Sequence, residues 1–274
     1  MLTIATANVN GIRAAFRRGM GDWLAQRGPD VLLLQEVRAP DELISEFLPS
    51  GQWDLAHAES LSKGRAGVAI ASRLPMTAVR IGLDQGEATN SGRWVEADVE
   101  LPDGATLTAV STYIHSGTVG TPSMDAKYAF LELVSARMAE LRSSGRHVVV
   151  GGDLNIAHRD VDLKNWKGNR NAAGCLPRER AYLDAWFGGD GDGDRWVDLG
   201  RRFGGEGPGP YTWWSWRGKA FDNDAGWRID YQMTTPGLAA LAVKVDVDRA
   251  PSYAERWSDH APLVALYDLG SSTA

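Results

Sequence analysis

Cysteine is almost missing from this 274-residue chain: Cys175 stands alone, so no internal disulfide can form. No apolar run approaches the roughly 18 residues that a membrane-spanning helix needs. The opening Met1-Leu2-Thr3-Ile4-Ala5 enters a strand-like stretch at once, with no basic segment ahead of an apolar one. No secretory signal is therefore expected, and the cytoplasm is the expected compartment. No Pro-, Ser- or charge-rich linker divides the sequence, which is read as one domain over residues 1–269 with a frayed tail at 270–274. The histidines His57, His115, His147, His158 and His260 show no zinc-like spacing. Net positive charge is missing as well. A formal charge of −6 argues against a general polyanion binder, because non-specific affinity for nucleic acid comes largely from Lys and Arg. The basic residues present gather in loops: Lys63 and Arg65; Arg159, Lys164, Lys167 and Arg170; Arg178 and Arg180; Arg217 and Lys219. Such patches can hold a phosphate backbone while the far side stays acidic.

What the chain does have is short apolar, β-branched runs bounded by Gly, Pro and Asp. Strands are expected at Leu2–Asn8, Val31–Gln35, Val68–Ala71, Val95–Val99, Leu107–Tyr113, Val148–Gly151, Ile229–Met233, Val243–Val247 and Leu263–Leu266. Two helices interrupt them. One follows Gly11, with Phe16, Met20, Trp23 and Leu24 on a stripe that Gly28-Pro29 ends. The other starts at Thr121-Pro122-Ser123, places Tyr128, Leu131, Val134, Met138 and Leu141 three or four apart, and ends at Gly145. Many strands and few helices suggest packed sheets covered by helices. In the run Gly188–Asp194, Asp alternates with Gly as in a calcium loop. Counted from Asp190, however, the sixth position is Arg195 and the twelfth Arg201, where such a loop needs Gly and Glu, so a solvated loop is expected.

Chemistry-bearing residues sit at strand ends. Glu36 follows Val31–Gln35, Asp153 and Asn155 follow Val148–Gly151, Asp230 opens the strand at Ile229, and Asp259-His260 precede Leu263. They converge only if those strands do, and acids beside one histidine are what metal-assisted hydrolysis of a phosphate ester requires. Taken singly, each has a plainer reading: a solvated strand edge for Glu36, a self-bonded turn for Asp153-Leu154-Asn155, a structural pair for His260 beside Asp259. The segment Tyr211-Thr212-Trp213-Trp214-Ser215-Trp216-Arg217 is aromatic-dense in a chain with 11 tryptophans, and aromatics most often fill cores.

Five words in order carry a resemblance: Thr6-Ala7-Asn8-Val9-Asn10-Gly11-Ile12-Arg13, Leu34-Gln35-Glu36, Gly152-Asp153-Leu154-Asn155, Trp227-Arg228-Ile229-Asp230 and Ser258-Asp259-His260-Ala261-Pro262. From residue 2 to about residue 267 the chain resembles the exonuclease III family of class II AP endonucleases, bacterial branch, within the endonuclease/exonuclease/phosphatase superfamily. The resemblance implies an α/β fold, a four-layer αββα sandwich of two packed mixed sheets with the active site at one end. It implies a monomeric Mg²⁺-dependent hydrolase, with Mn²⁺ as a substitute, acting on double-stranded DNA with abasic sites, nicks or blocked 3′ ends. The implied activities are incision 5′ to an abasic site, 3′–5′ exonuclease action and trimming of 3′ ends.

By the same resemblance, Glu36 is the principal metal ligand, with Asn8, Asp153, Asn155, Asp259 and His260 around it. Asp153 is general base or orients water, Asn155 supports it, His260 with Asp230 stabilises the phosphoryl charge, and Tyr113 offers its hydroxyl. Trp213, Trp227 and Ile229 wall a pocket for a base-less sugar, and Arg65 and Arg217 contact the duplex. The chain departs from the family pattern at Arg65, where an aromatic is common, at Arg38, where Lys is, and at Val119, where some members carry an arginine. Another phosphodiesterase of the superfamily, or a catalytically idle binder of damaged DNA, are the alternatives.

Overall fold

The computed structural model describes residues 1–83, 91–188 and 195–270, so most of the Gly/Asp run at 188–194 and of the expected tail at 270–274 falls outside the described residues. Its strands are β1 (Leu2–Asn8), β2 (Val31–Gln35), β3 (Asp54–Ala58), β4 (Val68–Ser72), β5 (Met76–Ile81), β6 (Trp94–Glu100), β7 (Thr106–Tyr113), β8 (His147–Asp153), β9 (Val197–Asp198), β10 (Asp230–Thr234), β11 (Ala242–Val247) and β12 (Leu263–Tyr267). The helices are α1 (Ile12–Arg17), α2 (Met20–Arg27), α3 (Asp41–Phe47), α4 (Pro122–Ser143), α5 (Trp166–Asn169), α6 (Pro177–Phe187), α7 (Leu199–Gly204) and α8 (Pro236–Leu241).

Two six-stranded sheets form, in the orders β11-β12-β1-β2-β4-β3 and β5-β6-β7-β8-β10-β9. Each is mixed, with one parallel pair at its centre: β1 with β2, and β7 with β8. The sheets pack face to face through Leu2, Ile4, Val31, Leu33, Val68 and Ile70 on one side and Val95, Ala97, Leu107, Ala109 and Val149 on the other. The outer face of the first sheet is covered by Ile12, Ala15, Met20, Leu24 and Ile44 from α1–α3. Phe130, Leu131, Val134, Met138, Leu141, Leu183 and Trp186 from α4 and α6 cover the second. Four layers result, as alternation of buried faces along strands requires.

Polar side chains between the sheets fix their relative position near one end. Gln35 Nε2 donates to Ser111 Oγ at 2.9 Å, and Ser111 Oγ donates to Leu34 O at 2.8 Å. Gln232 Nε2 donates to Ile4 O at 3.0 Å and Leu263 O at 2.7 Å. The Gly-Gly of β8 has a steric origin at the same place. A Cβ on Gly151 would lie 2.5 Å from Leu33 Cδ1, and one on Gly152 would lie 1.9 Å from Thr112 O. Only bare backbone fits where the sheets and strands approach this closely.

One expectation is corrected. The helix after Gly11 is not continuous but splits into α1 and α2 at Arg18-Gly19, where Gly19 takes a left-handed φ of 109°. The break lets both short helices turn a buried face to the first sheet, Ile12 and Ala15 from one and Met20 and Leu24 from the other.

Candidate active site

Strand pairing brings the candidate residues to one end. Parallel register sets Asn8 beside Gln35, the residue before Glu36, and Tyr113 beside Asp153. Antiparallel register sets Asp230 opposite Asp153. Residues from the loop before β12 bind to the same edge: Ser258 Oγ donates to Asn8 O at 2.7 Å, and His260 N donates to Ser258 Oγ at 3.2 Å.

Asn8 is the hub. Its amide donates to Glu36 Oε1 at 2.9 Å and to Asp153 Oδ2 at 2.9 Å, while its own oxygen accepts from Asn10 N at 3.0 Å. Asn10 Nδ2 donates to Asp259 Oδ1 at 2.7 Å, and Trp213 Nε1 donates to Asp259 Oδ2 at 3.1 Å, so Asp259 is held from both sides. Asn155 N donates to Asp153 Oδ1 at 2.9 Å, and Asn155 Nδ2 donates to Ile114 O at 2.9 Å and Asp153 Oδ2 at 3.3 Å. Arg38 pairs with Glu36. Asn10, Glu36, Arg38 and Asn155 all have positive φ, between 47° and 53°. Non-Gly residues hold that conformation only where their surroundings over-determine it, and such places cluster at functional sites.

Glu36, Asp153 and His260 offer ligand atoms that all lie within 4.8 Å of one another, and all three are buried. This buried acidic group with one histidine can bind a metal ion. The donors fit a hard divalent cation, since two of the three are carboxylates. The electrostatics fit as well. Burial, together with Asp230 and Glu36, holds the Asp153 carboxyl well above the usual carboxylate range, although His260 opposes the shift. Asp230 Oδ1 is buried without a hydrogen-bond partner among the described residues. Negative charge is thus under-compensated here, as a cation would correct.

His260 is buried, which opposes its charge, yet the carboxylates of Asp230 and Asp153 outweigh burial and push its pKa up to about 10. Its Nδ1 lies 2.9 Å from Asp230 Oδ2 and its Nε2 3.8 Å from Asp153 Oδ2. Burial, with Glu36 and Asp153 nearby, raises the Tyr113 pKa, so its phenol stays a donor.

These side chains surround a cavity of about 380 Å³ whose lining includes Glu36, Tyr113, Asp153, Asn155, Asp259 and His260, and also Trp213, Trp227 and Ile229. Trp213 and Trp227 meet edge to face with ring centroids 6.1 Å apart, and Trp213 forms a backbone bridge with His260. Asn8 lies behind the lining and Asp230 behind His260. Arg65 is exposed and lines a neighbouring groove with Arg13, Arg38 and Lys63 instead. Arg217 is exposed on the loop after Trp216, outside the cavity lining. Sequence reasoning missed Ser258 as a tether, Ser116, Gly117 and Ala173 as lining, and Arg93. Arg93 lies 4.7 Å over the Tyr113 ring and donates to Tyr113 O at 3.1 Å. Ser258 stands inside the word Ser258-Asp259-His260-Ala261-Pro262, but nothing there marks it as a tether, and the others carry no spacing or word that marks them beforehand.

Known proteins resemble this chain over nearly its whole length. The exodeoxyribonuclease of Bacillus subtilis is 29% identical over 268 residues, covering 96% of this chain and 98% of that protein. The DNA-(apurinic or apyrimidinic site) endonuclease of Dictyostelium discoideum is 27% identical over 270 residues, 98% of this chain and 71% of that protein. Among solved structures, a 3′ phosphatase from Neisseria bound to a product DNA hairpin superposes with a TM-score of 0.85 at 27% identity, covering 98% of this chain and 100% of that one. An AP endonuclease from Archaeoglobus fulgidus gives 0.82 at 28%, with the same coverage. The sequence profile of the endonuclease/exonuclease/phosphatase family matches residues 5–260, nearly the whole fold and every strand end that builds the cavity, and the chain belongs to that family.

Proposed function

We propose that this chain is a Mg²⁺-dependent DNA-repair nuclease that cuts 5′ to abasic sites, degrades duplex DNA from 3′ ends and removes 3′-blocking groups. The observation that carries this reading is the placement of Glu36, Asp153 and His260 against an apolar wall of Trp213, Trp227 and Ile229 in one cavity. The three reactions share one bond change. Water adds to phosphorus, the P–O3′ bond breaks, and the 3′ oxygen leaves as a hydroxyl.

Asp153 is the group to take the proton of the attacking water, since burial and its acidic neighbours have already made it a better base than a solvated carboxylate. Asn155, held by Ile114 O and Asp153, orients that carboxylate. We assign His260 to the phosphate, where the Asp230 carboxylate against its Nδ1 favours the charged imidazole. Its charge and the Tyr113 hydroxyl then neutralise the developing negative charge. Glu36 would hold the cation, with Asn8, Asp153 and Asp259 around it, and the bound ion supplies further positive charge at the phosphoryl oxygens. Trp213, Trp227 and Ile229 suit a sugar without its base, which costs little to extrude from the duplex. We read the chain as a monomer working in the cytoplasm, where a protein with a single cysteine and no internal disulfide is at home. The test is a gel assay on duplexes carrying an abasic analogue, a nick or a 3′-phosphate, with Mg²⁺, with Mn²⁺ and after exhaustive chelation. Incision that survives chelation overturns the metal assignment, and cleavage of phospholipid or inositol phosphates in place of DNA overturns the substrate.

A further inference from the structure

Behind the cavity lies an ion pair that the reaction does not touch. Lys127 on α4 and Glu179 on α6 both have fully buried side chains, with Nζ 2.5 Å from Glu179 Oε1. The remaining donors of the ammonium go to two backbone carbonyls, Asn155 O at 2.9 Å and Ser116 O at 3.2 Å. Two donated hydrogen bonds and one ion-pair contact thus surround the ammonium. The other oxygen of Glu179 accepts from Gly174 N at 2.7 Å and Leu176 N at 2.9 Å. The second of these bonds closes the first turn of α6 in the manner of a capping box. The first does not, since Gly174 lies outside the helix.

The four backbone groups so engaged belong to three separate segments, and all three segments line the catalytic cavity, through Ser116 and Gly117, through Asn155 and through Ala173. The segments leave each other no slack. A Cβ on Gly117 would stand 2.7 Å from Met124 Sδ and 3.2 Å from Lys127 Cδ, and one on Gly174 would stand 2.9 Å from Asn155 O. Asn155 itself holds φ at 51°, a conformation that needs support from outside the residue. Lys127 supplies that support at its carbonyl. A buried ion pair is weak evidence for stability, because desolvation offsets the attraction, so a role in fixing geometry is the better account of it.

We infer that Lys127 and Glu179 are positioning residues for the phosphate side of the cavity: the pair fixes Asn155 relative to the Ser116 and Gly174 walls, and so sets the turnover rate without contributing to DNA affinity. The inference rests on the nuclease reading for what is turned over, but not for the geometry. The experiment uses the full chain and the variant Lys127→Met/Glu179→Gln, which removes both charges together and leaves no unpaired buried ion should either single variant fail to fold. Steady-state incision of an abasic-analogue duplex with Mg²⁺ is expected to show kcat lowered roughly tenfold to a hundredfold, as small misplacements of reacting groups do, with KM changed by less than about twofold. In the DNA-free and metal-free protein, amide exchange should quicken in peptides covering 114–120, 154–157 and 173–176 and stay unchanged in β1 and β2. A kcat within about twofold of the parent overturns the inference, as does exchange accelerated throughout the chain with kcat and KM changed together. A parent chain that cuts no DNA sinks the nuclease reading instead, and the exchange pattern then decides the positioning role by itself.

Discussion

At the scale of single residues, the site is a contest between burial and charge. Asp153 has its pKa raised by burial and by its acidic neighbours, and His260 has its pKa raised by Asp230 and Asp153 despite burial. Asp153→Asn keeps the shape and the hydrogen bond from Asn8 but removes the proposed base, so incision should fall about a thousandfold or more while the melting temperature holds. A loss below about tenfold with normal duplex binding moves the base elsewhere. His260 gives a stability prediction whose sign is fixed by linkage. Its folded pKa, about 10, lies above its ordinary 6.5, so its contribution is complete below pH 6.5 and is lost as the pH rises through 10. The melting temperature of the metal-free protein should therefore decline between pH 6.5 and 10 more steeply than that of His260→Asn. Equal slopes contradict the charged imidazole. Part of this was legible beforehand, because an acid or histidine at a strand mouth is visible in a sequence as soon as the strand is. Arg228 shows why the rest was not. It sits inside the word Trp227-Arg228-Ile229-Asp230, yet it points away from the cavity, donating to Asp162 at 2.7 Å and Asp198 at 2.8 Å in a buried network that no local pattern announces.

At the scale of elements, the strands that were legible are the ones buried on both faces. β2 and β4 read as unbroken apolar runs because each lies between the other sheet and a helical layer. β5 lies at a sheet edge with alternating exposure, and β3, opening on Asp54, carries His57 within its five residues, so neither presents such a run. β9 is two residues long and exists only because β10 pairs with it. α6 escaped notice since the helix covers its sheet mainly through Leu183 and Trp186. The sheet-to-sheet approach at Gly151 gives a test at this scale. Gly151→Val must push against Leu33 and Thr6, so it should cost about 1 to 3 kcal/mol in a urea titration through overpacking. A neutral outcome denies the close contact. The aromatic segment gives another. Trp213→Ala and Trp227→Ala open the wall beside His260, and should depress abasic-site incision more than removal of a 3′-phosphate, which needs no extruded sugar. Both variants must first be shown folded, because losing a large aromatic can cost about 3 to 5 kcal/mol. Equal loss of the two reactions makes the tryptophans packing alone.

At the scale of the whole molecule, a chain of net charge −6 must hold a polyanion by local rather than global field. Two grooves adjoin the catalytic cavity. One, of about 560 Å³, is lined by Arg13, Arg17 and Arg38, and the other, of about 320 Å³, by Arg13, Arg38, Lys63 and Arg65. Arg38 lines both and the catalytic cavity as well, so the three adjoin at its side chain. The basic track therefore runs from the carboxylate site across the start of α1 to the loop before β4, while the paired acids Asp246 and Asp248 lie on and beyond β11 at the far edge of the same sheet. If phosphates follow that track, each contact releases a counterion, and affinity falls with salt by about one power per contact. Arg13→Ala/Arg65→Ala should then weaken duplex binding at low salt and flatten the plot of log affinity against log salt by about two, with kcat at saturating DNA unchanged. The contrast with Asp153→Asn is the informative one, since that variant should keep the parental salt slope and lose the rate. A double variant with an unaltered slope means that the duplex crosses some other face, and the first places to look are the loop patches at Arg217 and Lys219 or at Lys164, Lys167 and Arg170.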